Sequence, residues 1–98
     1  MRDFRAFMTY GKFDDVVIQM ALREIDAPTL AVALADQDET VQEIVLRNMS
    51  QRAARCLSED IRQNASAPQG PDRESIQDAQ RYFAGLVEWA DRQYARTG

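Results

Sequence analysis

From Ile76 to Tyr94 the apolar residues recur at intervals of three and four: Ile76, Ala79, Phe83, Leu86, Val87, Ala90 and Tyr94. That spacing winds them onto one stripe of a long α-helix, and a stripe so regular has to be covered by other elements. The rest of the chain offers only helices for the purpose. Phe4, Phe7 and Met8 make a short apolar face that Gly11 ends, so residues 1–11 read as a short N-terminal helix or arm. Asp14 and Asp15 offer a cap and first-turn negative charge to a helix bearing Ile18, Leu22 and Ile25, with Val17 and Ala21 beside them. Pro28 should stop that helix and open the next, residues 29–35, which is apolar on nearly every side and so expected to be buried all round. Thr40 and Glu43 have capping-box spacing ahead of the stripe Val41, Ile44, Val45 and Met49. Ser50 caps a further helix that turns Ala53, Ala54, Leu57 and Ile61 inward, and residues 64–71 form a surface loop. Asp72 caps the last helix, inside which Gly85 predicts a neighbouring helix packed close. With no alternating strand pattern anywhere, the expected class is all-α, a compact bundle of five or six helices.

The 98 residues suffice for a single domain over 1–98, and no run approaches the roughly 18 consecutive apolar residues of a membrane span. No signal peptide precedes the first charges, so a cytoplasmic protein without membrane insertion is expected. Twelve basic and 16 acidic residues give a net charge of −4. The basic groups are interleaved with acids and form no stripe for a phosphate backbone, which argues against a nucleic-acid partner. All but Lys12 are arginines, suited to forked recognition of carboxylates on another protein. The absence of His removes the commonest general base and metal ligand, and the single Cys56 excludes an internal disulfide or a cysteine zinc cage. Cys56 lies near the fourth apolar stripe and is expected to be a buried structural thiol. Trp89, Tyr82 and Tyr10 are expected at the surface, where lone aromatics are common. The acidic pairs Asp14/Asp15 and Glu59/Asp60 are better explained as a helix cap and an exposed ridge than as catalytic dyads. No cofactor fingerprint accompanies them, so no enzyme, cofactor or metal is expected.

The run Leu46-Arg47-Asn48-Met49-Ser50-Gln51-Arg52-Ala53-Ala54 is the most distinctive in the chain. Before it stand Asp14-Asp15-Val16-Val17-Ile18-Gln19, Leu22-Arg23-Glu24-Ile25-Asp26 and Leu30-Ala31-Val32-Ala33-Leu34; after it come Glu59-Asp60, Gly70-Pro71 and Asp78-Ala79-Gln80. In this order these runs resemble the C-terminal domain of the flagellar motor switch protein FliG. The resemblance implies an armadillo-like helical lobe on the cytoplasmic rotor ring, where a charged ridge meets the cytoplasmic loop of the stator subunit MotA and passes torque. It assigns to that ridge Arg52, the acids Glu59 and Asp60, and Arg73, the last through a less secure alignment after Gly70-Pro71. Arg52 and Glu59 are two helical turns apart, and Asp60 falls to the same side.

The departures are specific. The Lys that the family's ridge carries falls at Ala35, and the Gly normally after it is Asp36, so a cationic position becomes anionic. The family's hinge motif survives only as Phe4-Arg5-Ala6-Phe7, the loop before Gly70-Pro71 is longer, and the acid-rich apolar end is replaced by residues 91–98. The family's amino-terminal and middle domains have no counterpart, and Met1 favours a free-standing relative over an excised domain. Two functions follow: a rotor domain contacting the stator and other switch proteins, or a helical interaction module repurposed outside the torque path.

Overall fold

The computed structural model describes residues 3–97. Met1, Arg2 and Gly98, the ends of the expected 1–98 domain, lie outside them. Six helices follow one another: α1 (Phe4–Tyr10), α2 (Asp15–Leu22), α3 (Ala27–Leu34), α4 (Glu39–Leu46), α5 (Gln51–Ser66) and α6 (Arg73–Thr97). No strand occurs among the described residues, so the all-α class stands.

Each helix is started by a short polar side chain that accepts a backbone N–H left over in the first turn. Asp3, Asp14, Asp26, Asp38 and Ser50 cap α1 to α5, and Asp72 accepts from the Ser75 amide at 2.8 Å ahead of α6. Two caps differ from the sequence expectation. The second helix ends at Leu22, well before Pro28, because Asp26 binds both the Thr29 amide (3.1 Å) and its hydroxyl (2.8 Å) and leaves Pro28 inside the first turn of α3. Likewise α4 is capped by Asp38, which accepts from the Val41 amide at 3.2 Å, so Thr40 lies within the helix and forms no capping box. The helix α5 runs on to Ser66, and the loop opens at Ala67, later than the expected residue 64.

One core cluster draws on all six helices. α3 packs against both α5 and α6, α2 packs on α6, and α1 bridges α4 and α6. At the centre Phe83 is fully buried and meets the Phe4 ring edge to face, with centroids 6.4 Å apart. α6 is the longest element, its 25 residues rising about 37 Å. The α1–α2 corner is tight. A β-carbon at Gly11 would collide with the Phe13 ring and the Phe7 carbonyl, and Lys12 takes the left-handed conformation at φ 49°. Gly85 behaves otherwise than expected: it is exposed on α6, and a β-carbon there would meet nothing within 4 Å, so no helix of this chain packs against it.

Candidate functional site

The distinctive run at residues 46–54 divides into residues that hold the fold and one charge that does not. Leu46 and Met49 pack against the core. Arg47 reaches back to α2, where its Nε and Nη2 lie 3.2 and 3.1 Å from an Asp15 carboxylate oxygen. Asn48 does more. Its Nδ2 donates to the Ile44 carbonyl at 2.8 Å and to Asp15 Oδ1 at 3.1 Å, while its Oδ1 accepts from Gln19 Nε2 at 3.1 Å. The Asn48 hydrogen bond, followed by that of Arg47, holds the Asp15 carboxyl below the usual carboxylate range. The Asp14–Gln19 run and the Arg47–Asn48 pair are thus two halves of one joint between α2 and the end of α4. Ser50 then caps α5 through the Ala53 amide at 3.2 Å. Of the two arginines in the run, only Arg52 is left exposed with no ion pair or side-chain hydrogen bond among the described residues.

Arg52 opens the outward face of α5. At about 100° per residue, Arg55, Cys56, Glu59 and Gln63 share that face and Arg62 lies at its far edge, and all are exposed. Glu59 accepts from Arg62 one turn on and from Gln63 at 3.5 Å. Asp60, by contrast, is half-buried and turned toward α3, lining a shallow groove with Pro28, Ala31, Val32, Gln63 and Asn64. Eight residues from Arg52 leave it about 80° round the helix, whereas Glu59 is only about 20° off. Arg73 is exposed at the first position of α6, beyond the 67–72 loop, and no ion pair joins it to the other three among the described residues. The structure therefore brings Arg52 and Glu59 onto one face, sets Asp60 at its edge, and leaves Arg73 apart.

One expectation is corrected on this face, and two residues are added to it. Cys56 is an exposed thiol, because it falls on the outward side of α5 while Leu57 and Ile61 take the buried side. Arg55 and Arg62 flank Glu59, so that with Arg52 the helix carries three arginines against the acids Glu59 and Asp60. Extending the helical period from Arg52 would have found both.

The end of α3 is tied to α6 inside the fold. Ala35 caps the helix, and Asp36 accepts from Gln80 Nε2 at 2.8 Å and from Gln37 Nε2 at 2.8 Å. Gln80 is 7% exposed and also donates to the Ala33 carbonyl at 3.0 Å, so α6 supplies the donor that the end of α3 lacks. No group of three or more Cys, Asp or Glu side chains able to hold a metal ion occurs among the described residues, and no described helix is long and apolar enough to cross a membrane.

A model of the FliG C-terminal domain family matches residues 5–93. The flagellar motor switch protein FliG of Borreliella burgdorferi is 40% identical over 81 residues, which cover 82% of this chain and 22% of that protein. The protein of the same name from Thermotoga maritima is 34% identical over 77 residues, 78% of this chain and 22% of its own. That of Pseudomonas aeruginosa is 42% identical over 55 residues, 56% of this chain and 16% of its own. The chain therefore spans about a fifth of the length of these relatives. No solved structure gives a significant match. Because the family match begins in the first helix and runs almost to the end of the last, this chain belongs to the FliG C-terminal domain family.

Proposed function

We propose that this chain is a rotor domain of the flagellar switch complex, at the cytoplasmic face of the basal body, and that it meets the stator's cytoplasmic loop through the outward face of α5. Arg52 and Glu59 lie at the centre of that contact, Asp60 at its edge, and Arg73 is an outlying member. One observation carries the reading: within the run Leu46–Ala54, Arg47 and Asn48 join the end of α4 to α2 and Ser50 caps α5, while Arg52 is exposed with no ion pair or side-chain hydrogen bond among the described residues. A charge that stabilises nothing at home is available to a partner. Exposed mixed charges set the approach and register of a partner more than they set affinity, which suits a contact made and released repeatedly. The excess of arginine on α5 favours an acidic stretch of the partner.

Ala35 and Asp36 favour a second reading, an interaction module outside the torque path, because the family's ridge cation is gone and Asp36 is bound to Gln80. Deleting the gene and scoring both swimming and filaments separates the two. Filaments that are present but do not turn place the chain in the torque path; absent filaments place it in rotor assembly. Normal swimming refutes the rotor reading and leaves the second.

A further inference from the structure

We propose that the cleft between the start of α1, the 35–38 turn and the middle of α6 is a binding site for a guanidinium group. The cleft encloses about 280 Å³ and is lined by Asp3 and Phe4 on one side, Asp36 and Gln37 on the second, and Gln77, Gln80 and Arg81 of α6 on the third. None of these residues belongs to α5, so the site stands apart from the candidate stator face.

Its chemistry follows from how two side-chain amides are turned. Gln37 Nε2 and Gln80 Nε2 both donate to Asp36 Oδ1 at 2.8 Å, and Gln80 Nε2 donates to the Ala33 carbonyl as well. Turning either amide over would set a carbonyl oxygen against the carboxylate, so both are fixed with their nitrogens on Asp36. Their oxygens are left over. Gln37 Oε1 is buried with no hydrogen-bond partner, and Gln80, only 7% exposed, accepts nothing at Oε1 among the described residues. Asp36 Oδ2 likewise accepts nothing there. Asp3 adds a second carboxylate, of which Oδ1 alone is used, by the Arg5 amide at 3.0 Å.

A lining of spare acceptors selects a ligand that only donates. A guanidinium presents its N–H donors in a planar fork and has no acceptor, whereas a lysine ammonium is a compact, more strongly hydrated point charge. Positive charge suits the cleft, where two carboxylates stand against the single Arg81, and it shortens and strengthens each bond to them. Arg81 does not claim these acceptors itself. Its side chain is 68% exposed and its Nη1 is held by Asp78 at 2.9 Å, one turn back on α6. Phe4, 3% exposed, adds an apolar wall against which the weakly hydrated guanidinium loses less solvation than an ammonium would. A buried acceptor without a donor costs stability, so a ligand that reaches Gln37 Oε1 relieves a penalty the chain carries alone.

The test uses the full chain, labelled with nitrogen-15 and titrated with a blocked tripeptide whose central residue is arginine. The side-chain amide resonances of Gln37 and Gln80 should shift saturably. The same tripeptide with central lysine should bind about fivefold or more weakly, for want of the fork. With citrulline, which keeps the shape and lacks the charge, no saturable shift should appear. Asp36→Asn keeps an oxygen for Gln80 but removes the charge, and should weaken binding about tenfold. Arg81→Gln should strengthen it by removing a like charge, with a thermal melt of each variant verifying the fold. Methylguanidine identifies the source of the group: a tripeptide that binds at least as tightly marks an arginine of another protein, and binding of methylguanidine alone marks a small solute. Either result supports a guanidinium site. No saturable shift up to about 10 mM of either probe overturns the proposal. So does equal binding of the citrulline peptide, or indifference to both Asp36→Asn and Arg81→Gln.

Discussion

Replacing Asn48 by alanine should unlock the joint between α2 and α4 while leaving the candidate partner face untouched. The substitution removes three hydrogen bonds, to the Ile44 carbonyl, to Asp15 and from Gln19. A net hydrogen bond contributes about 0.5–1.5 kcal/mol. Asp15 has 54% of its side-chain surface exposed and is readily rehydrated, so the low end of that range applies to its share. The expected loss is about 2 kcal/mol, and thermal unfolding followed by circular dichroism should fall by roughly 8–15 °C for a chain of this size. Asn48→Asp should be worse than Asn48→Ala at neutral pH, since it sets a second carboxylate against Asp15, and the difference should shrink in acid. Arg52→Ala is the internal control and should stay within about 0.5 kcal/mol of the native chain, because its side chain makes no ion pair or hydrogen bond among the described residues. Equal melting temperatures for Asn48→Ala and Arg52→Ala would refute the division of this run into a structural joint and a free charge.

Three further outcomes follow from the geometry. Gly85→Ala should stabilise the fold by about 0.5–1 kcal/mol, measured by urea unfolding, because the methyl meets open space and relieves a helix-interior glycine. Gln80→Met keeps the volume but withdraws the donor that serves the Ala33 carbonyl and Asp36, and should lower stability by about 1–3 kcal/mol in the same assay. Stability should also fall in acid. Asp15, Asp26, Asp38 and Asp72 are each held below the usual carboxylate range, by Asn48, Thr29, Arg5 and Ser75 respectively. A depressed folded value means stability that is complete above the unfolded value near about 4 and is lost as pH drops through the folded ones. Asp38→Asn preserves a good helix cap but severs the 2.8 Å bond from Arg5, so melts recorded from neutral pH downward should show a shallower acid limb; an unchanged limb would remove Asp38 from the account.

Much of the fold is legible in the residues because this chain starts its helices with aspartate or serine. Asp14, Ser50 and Asp72 are readable as caps, each standing before a clear apolar period. Asp26 and Asp38 were obscured by stronger-looking neighbours: Pro28 fixes a local dihedral but does not decide where the preceding helix ends, and Thr40–Glu43 has capping-box spacing without the backbone to use it. Burial was misread where angle rather than proximity decides. Cys56 adjoins buried Leu57 in sequence yet points to the opposite side, and Gly85 lies on the solvent face although its helix is the centre of the core. On the candidate site, the family-like run contains Arg52, but nothing in one dimension separates its free charge from the Arg47–Asn48 pair that reaches back to α2. That distinction depends on a contact between residues 32 and 33 positions apart.

The most direct measurement is rotation speed in cells whose chain carries Arg52→Asp, after the purified variant has been shown to melt like the native protein. The account predicts filaments that assemble normally but turn slowly or not at all, with rotation recovered in part when an acidic residue of the stator loop is reversed to a base. Normal rotation with the fold intact would contradict it, and the outward face of α5 would then have no part in torque.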